Sequence, residues 1–370
     1  EGAHKLKQQL SKQEEILLLE VQKETGIEPQ IWAARSIAKI FQKLNLPYDV
    51  TEKSQAPSFT KNFLQEHNHP VVQKIAKARE LNKAHTTFID TIIRHEHKGR
   101  IHADINQIRS DQGGTVTGRF SYSNPNLQQL PARNKELGPM IRSLFLPEEG
   151  CTWGCFDYSQ QEPRLVAHYA SLYKFPSVYE VIEEYNNDSS TDFHQMVAEM
   201  AEIPRSQAKT INLGLFYGMG KTKLQAELGV SKDKASELFE QYHAKVPFVK
   251  QLINAASNRA QERGQIRTLL GRLCRFPLWE PNSFGMHKAM SHEDALREHG
   301  PGIKRAYTYK ALNKLIQGSA ADMTKKAMVD LYKEGIIAHI QIHDELDLSV
   351  ESPEHAKKIT KIMENAVKLE

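Results

Sequence analysis

Two short stretches carry carboxylates where apolar runs give way to turns: Phe156-Asp157-Tyr158-Ser159 and Ile342-His343-Asp344-Glu345. Acids placed there would sit at the edge of a sheet and face a groove, a setting in which carboxylate oxygens suit a hard divalent cation. The two stretches lie far apart in the chain, so only folding brings them into one metal site. An acidic hairpin tip is ordinarily a solvated turn. Here Ile340 and Ile342 before it, and Leu346, Leu348 and Val350 after it, would anchor the tip in a core.

A second constellation lies between them. Arg205, Lys209, Leu213 and Tyr217 recur every four residues. On a helix such a row drifts only about 40° per step and winds over one broad face about 18 Å long. Two cations at one end and a ring at the other suit a nucleotide, with phosphates on the cations and the base on the ring. The bland reading is an amphipathic helix that ends in an aromatic. A third stretch, Thr117-Gly118-Arg119-Phe120-Ser121 through Asn126-Leu127-Gln128, is built of small, hydroxyl and amide residues with Arg119 its only charge. It cannot form a core of its own, but as a groove wall it offers donors from Arg119, Asn126 and Gln128.

Three tempting motifs fail on spacing. Gly218-Met219-Gly220-Lys221-Thr222 lacks the glycine that a phosphate-binding P-loop needs at position 215, which is Leu215. Cys151 and Cys155 lack the second ligand pair of a structural zinc site. His292-Glu293 is followed by a histidine only at 299, seven residues on rather than the four that the zincin metal site requires.

The elements that must position these residues follow from periodicity. A charged helix runs over 5–24, with Leu10, Ile16, Leu17 and Val21 inward, and another over 32–44. A longer helix over 71–95 carries a basic face of Lys74, Lys77, Arg79, Lys83 and Arg94, either a solvated face or one lying along a phosphate backbone. Residues 101–108 alternate like a strand, and 151–156 reads as a buried strand delivering Asp157. Pro163 suits a helix's first turn, while Glu162 before it is expected outside the helical region, close beside Asp157. Asp192 caps the next helix, 279–303 reads as an irregular surface insertion, and a long helix near 304–333 sets Asn313 and Gln317 on one face. Three cysteines in 370 residues argue against a disulfide scaffold and suit a reducing compartment, a net charge of +4 neither demands nor excludes a polyanionic partner, and no apolar run is long enough to span a membrane.

Together these stretches resemble the polymerase domain of family A DNA polymerases, the group of bacterial DNA polymerase I and many phage replicases. The Thr117–Gln128 stretch is similar to that family's template-primer binding segment, and Asp157 to Arg164 to its motif A. Arg205 to Gly218 is similar to motif B, and His343-Asp344-Glu345 to motif C. The order and rough spacing agree, and the resemblance spans nearly the whole chain.

The resemblance implies an α+β right-hand architecture with an antiparallel palm sheet, helical fingers and a helical thumb. Residues 1–100 would form the thumb, 101–185 and 317–370 the palm, and 186–316 the fingers. It implies template-directed addition of dNTPs to a primer 3′-OH with release of pyrophosphate, using two Mg²⁺ ions roughly 4 Å apart, with Mn²⁺ a possible substitute. Asp157, Tyr158 and Asp344 would hold the metals with Glu345 nearby. Arg205, Lys209 and His194 would grip the triphosphate, and Lys209 would protonate pyrophosphate. Gln160, Leu213 and Tyr217 would line the nucleotide site, with Glu162 excluding a 2′-hydroxyl. Arg119, Asn126, Gln128, Asn313, Gln317 and His343 would contact primer-template DNA, some reading minor-groove acceptors that every correct pair presents alike.

Departures from the family pattern are specific. Gln161 and Pro163 stand where the commonest motif A has Ile and Leu, and Leu213 stands where Phe or Tyr is usual. Asp347 is an extra acid just past motif C. The chain opens without methionine, shows no 3′–5′ exonuclease segment and stops short of the family's closing strand, so it is expected to be a segment of a longer protein. That parent is expected in the cytoplasm of a bacterial host or phage-infected cell. The alternatives are a single-subunit RNA polymerase-like enzyme and a non-catalytic DNA-binding fragment. Glu162 and Gln317-Gly318 favour deoxyribonucleotides over the first, and the intact acids and cations argue against the second.

Overall fold

Leu10 and Val21, on one face of the first helix (Gly2–Thr25), are fully buried against the helix Pro70–Lys83. Each such burial contributes about 1.5–3 kcal/mol. Gly26 ends the first helix in a left-handed conformation, its N–H donating to the Gln22 carbonyl. The inward face differs from the expected stripe. Ile16 is 47% exposed, while Glu14 turns inward and accepts from Asn82 Nδ2 at 3.0 Å beside the His85 ring at 2.5 Å. The computed structural model describes residues 1–370 except Glu52, Lys53, Gln112, Ala132, Arg133, Ser189, Tyr217, Gly218, Phe284 and Met286, with the backbone alone for Met200 and Ala201. The chain divides into two units, Glu1–Ile105 with Tyr122–Leu146, and Asn106–Ser121 with Pro147–Glu370.

In the first unit the helix expected over 71–95 widens into a π turn at Ala84–Ile89 before closing as Asp90–His95. Its basic face is largely spent inside the unit. Lys74 pairs with Glu20 and Glu24, Lys77 with Glu136, and Arg79 donates to the Ile31 and Phe59 carbonyls while lying 5.3 Å from the Trp32 ring. The Tyr122–Leu146 segment joins this unit because Leu137 and Ile141 bury against Leu10, Leu81 and Ile89. The strand expected over 101–108 is broken into Arg100–Ile101 and Asp104–Asn106, with Ile105 and Ile108 exposed. Alternation without a core to cover it does not sustain a strand.

The second unit holds a three-stranded antiparallel sheet in the order Ile340–Ile342, Glu345–Val350, Thr152–Asp157. One face of it, Phe156, Leu346, Leu348 and Val350, packs on Ala327 and Leu331 of the helix Ala311–Lys333 and on Ile359 and Met363 of the helix Pro353–Glu364. Gly154 is required there: a Cβ would stand 2.5 Å from Val350 Cγ2. The strand that delivers Asp157 is not buried as expected, since it forms the sheet's edge and leaves Thr152 and Cys155 exposed.

Helices on this unit share a second core, in which Leu165, Val166, Phe193, Phe216, Phe248, Leu252 and Ile316 are buried together. The 279–303 region is more ordered than its composition suggests. Trp279–Pro281 pairs antiparallel with Ile303–Arg305, the helix His292–His299 lies between them in sequence, and Arg305 stacks 4.5 Å over Trp279. Three-residue strands are too short for periodicity to reveal.

Candidate active site

Strand register brings the two acidic stretches together. Glu345 stands directly opposite Asp157, Leu346 opposite Phe156, and Asp347 opposite Cys155. Asp344 occupies the two-residue tip before Glu345, beside His343, whose left-handed φ of 57° turns the chain. The Gln341 amide donates to the His343 carbonyl at 2.5 Å, and the Tyr158 N–H donates to the Asp344 carbonyl at 3.3 Å. The hairpin tip is thus tied to the end of the Asp157 strand.

The acids repel one another. Burial first, and the charge of Asp157 second, push the Asp344 carboxyl up to about 6, with Arg119 opposing and Glu162 adding. The Asp157 side chain reaches solvent, yet desolvation by its surroundings and the Glu345 charge raise it too. Carboxylates held up in this way are what a divalent cation relieves, so the donor set fits the expected metals. Tyr158 fits less directly. Its hydroxyl donates to the Met363 carbonyl at 2.8 Å, and burial drives its pKa far above the usual tyrosine value, leaving only its backbone carbonyl for a metal.

Behind Asp157, Gln160 adopts φ 51° and the helix Gln161–Leu172 begins. Glu162 lies inside this helix, contrary to the expectation from Pro163. A first-turn position needs no N–H acceptor from the preceding turn, and the helical fold of the segment outweighs the mild pre-proline restriction. Glu162 accepts from Arg119 Nη2 at 2.7 Å. Gln161, the departure from the commonest motif, is buried and donates to the Ala320 carbonyl at 3.3 Å and to Thr324 Oγ1 at 3.4 Å. It fastens this helix to the long one, Ala311–Lys333.

Gln160 also organises the neighbouring helix. Its amide donates to the Thr191 carbonyl at 2.6 Å and accepts from the Phe193 N–H at 2.8 Å. Asp192 caps the helix Phe193–Ala201 as expected, accepting from the His194 and Gln195 N–H groups, and it also holds Arg205 Nε at 2.6 Å. Desolvation raises the Asp192 carboxyl, but the Arg205 hydrogen bond and the two amides outweigh it and hold it low. His194 is buried and pushed down to about 4, mainly by desolvation, with Lys209 and Arg205 adding. Its Nδ1 meets Asn212 Nδ2 at 2.9 Å, which leaves the proton on Nε2.

Arg205, Lys209 and Leu213 lie along the helix Arg205–Phe216, with Lys209 exposed and in no ion pair among the described residues. Tyr217 lies outside the described residues. Asn313 and Gln317 share a half-buried face of the long helix. Asn126 and Gln128 belong to the first unit, where Asn126 Oδ1 accepts from the Gln128 N–H and caps the short turn Leu127–Gln129.

The spacing did not point to the Arg272 cluster. Arg272 donates to Asp322 and, at 2.9 Å, to the Gly318 carbonyl, while Ser319 joins Tyr169 at 2.7 Å. A Cβ on Gly118, whose φ is 85°, would stand 2.5 Å from the Arg272 guanidinium, and one on Gly318 would stand 2.6 Å from Thr268 Cγ2 and 2.9 Å from that guanidinium, so Arg272 lies close against both the Arg119 segment and the Gln317 helix. The run of four arginines over 263–275 was the available signal, but nothing local distinguishes Arg272 from the rest.

The family model described as DNA polymerase family A matches residues 1–370. The DNA-directed DNA polymerase of Pseudomonas phage M6 is 35% identical over 388 aligned positions, which cover 92% of this chain and 55% of that protein. The thermostable DNA polymerase I of Thermus aquaticus is 32% identical, over 87% of this chain and 37% of its own length. Among solved structures, the POL domain of Pol1 from M. smegmatis, in complex with DNA primer-template and dNTP, superposes with a TM-score of 0.76 at 26% identity, covering 100% of this chain and 64% of that one. The chain therefore spans little more than half the length of the phage relative, and its α+β fold is the one these proteins share. On this match of sequence and fold, the chain belongs to DNA polymerase family A.

Proposed function

We infer that this chain carries out template-directed DNA synthesis, adding deoxynucleoside triphosphates to a primer 3′-OH. The observation that carries the reading is the register pairing Asp157 with Glu345 beside the Asp344 tip, in the same unit as the Arg205–Lys209 helix. Family A polymerases generally use divalent metals, and Mg²⁺ is the ion that all-oxygen donors beside a triphosphate favour. Asp157 and Asp344 would hold two such ions, with the Tyr158 carbonyl and Glu345 at hand. When bound, the pair stabilises the attacking and leaving oxygens of an in-line phosphoryl transfer.

The chain's own residues do the rest. Lys209 and Arg205 meet the triphosphate, and Lys209 delivers a proton to the departing pyrophosphate. Neutral His194 donates from Nε2 to a phosphate oxygen without needing its own charge. Glu162, steadied by Arg119, walls off the 2′ position of the incoming sugar, while Leu213 and Tyr217 are assigned to the nucleotide site. Arg119, Asn313 and Gln317 probe minor-groove acceptors, and Asn126, Gln128 and His343 contact the primer-template. In this reading residues 1–100 act as thumb, 186–316 as fingers, and the intervening and closing segments as palm.

Primer extension with Mg²⁺, offering dNTPs and rNTPs separately, tests the reading. Extension with dNTPs that is lost in Asp157→Asn is the expected result. Extension with rNTPs alone would make the chain an RNA polymerase-like enzyme, and DNA binding without extension would make it a binding module.

A further inference from the structure

Asp347 has no part in the polymerase reading, and its surroundings are unusual for an aspartate. It occupies the central strand of the sheet and is 4% exposed. Its Oδ1 is buried with no hydrogen-bond partner, and the side chain forms no ion pair among the described residues. A buried carboxylate without a partner is costly, and such a group persists where something else neutralises it.

Its neighbours supply the rest of a donor set. Register places Asp347 opposite Cys155, and Glu345 lies two residues back on the same strand, so the three side chains project from one face of the sheet. One ligand atom from each of Cys155, Glu345 and Asp347 lies within 4.8 Å of the other two. Cys155 is a reduced, exposed thiol, which leaves the cluster open to solvent on the edge-strand side. We propose that Cys155, Glu345 and Asp347 form a second divalent-metal site that takes Zn²⁺.

The donor chemistry selects the ion. A thiolate does not suit Mg²⁺ or Ca²⁺, and two carboxylates do not suit Cu⁺, whereas Zn²⁺ accepts both ligand types. A tetrahedral zinc holds its sulfur and oxygen ligands about 3.4–3.6 Å apart. The three ligand atoms, none more than 4.8 Å from another, are already grouped at close to that scale. Three protein ligands leave one position for water. The site borders the Asp157–Asp344 pair through Glu345 yet differs from it in containing sulfur, which gives it a spectroscopic signature that the oxygen-only pair lacks.

The test uses the whole chain in excess Mg²⁺, titrated with Cd²⁺ as the spectroscopic probe and then with Zn²⁺ in competition. The expected result is one equivalent of Cd²⁺ bound with a thiolate-to-metal charge-transfer band, displaced by Zn²⁺. The band disappears in Cys155→Ser. In Asp347→Asn the affinity falls at least about 100-fold, beyond what loss of a merely supporting group costs. Circular dichroism and thermal unfolding in chelator check that both variants fold, and if Asp347→Asn does not, the Cys155→Ser result decides. No charge-transfer band, a band that survives Cys155→Ser, or unchanged affinity in a folded Asp347→Asn would overturn the site.

Discussion

Arg119 Nη2 donates to Glu162 Oε1 at 2.7 Å, joining the segment that would follow the primer-template to the residue that would exclude a 2′-hydroxyl. Both side chains are largely sheltered, at 23% and 13% exposure, so the pair is less screened than a surface ion pair. Glu162→Ala should raise the ratio of rNTP to dNTP incorporation efficiency at least about tenfold. Arg119→Ala should move the same ratio the same way, by less, because Glu162 loses the guanidinium that orients it. A ratio unmoved by Arg119→Ala would mean that Glu162 holds its position without the pair.

Asp157→Asn and Asp344→Asn keep the shape of each side chain and remove its charge. Each should lower the extension rate on the order of 10³-fold or more, the upper scale of losing one preorganised electrostatic group. Primer-template affinity, read by fluorescence anisotropy, should stay within a few-fold. Extension near the wild-type rate in either variant would exclude that residue as a metal ligand.

The Asp344 carboxyl, pushed up to about 6 from 3.8, gives a pH dependence of known sign. Without metal, the folded chain holds this proton more tightly than the unfolded chain. Its contribution to stability is present below the unfolded pKa and is lost as pH rises through about 6. Thermal unfolding in chelator should show this slope, and Asp344→Asn should flatten it. Metal binding runs the other way: affinity should fall about tenfold per pH unit well below the folded pKa, for each proton displaced. A metal affinity independent of pH between 5 and 7 would contradict the assignment.

His194, at about 4, should stay neutral across the working pH range. Its NMR resonances should not titrate between pH 5.5 and 8. Asn212→Ala removes the donor to Nδ1 and frees the ring to change tautomer. The expected effect is a several-fold rise in KM for dNTPs with a smaller change in kcat. An unchanged KM would leave Asn212 a packing residue only.

Gln161→Ile restores the residue commonest in the family. It deletes two long hydrogen bonds, but the Ala320 carbonyl and Thr324 hydroxyl still satisfy each other at 3.2 Å. The cost to stability should stay within about 1 kcal/mol, because no buried partner is left unpaired. A destabilisation several times larger, by denaturant unfolding, would show that the link between the two helices depends on Gln161.

The sequence by itself singled out the candidate groups and the order of its parts. Asp157, Arg205, Lys209 and Asp344 stood out because residue type and short-range spacing suffice where strands meet turns and where cations recur on a helix. The hairpin around Asp344, the Asp192 cap and the helix carrying Arg205 are local features of the same kind. What only the tertiary structure decided depends on residues far apart in the chain. Register, not composition, put Glu345 opposite Asp157 and Asp347 opposite Cys155. Packing against the Pro70–Lys83 helix turned Glu14 inward in place of Ile16, and folding brought the Arg272 side chain against both Gly118 and Gly318. Periodicity reports which face of an element is buried. It carries no information on which distant side chain meets that face, and for that reason the Arg119–Glu162 pair and the buried, unpaired Oδ1 of Asp347 emerged only from the fold.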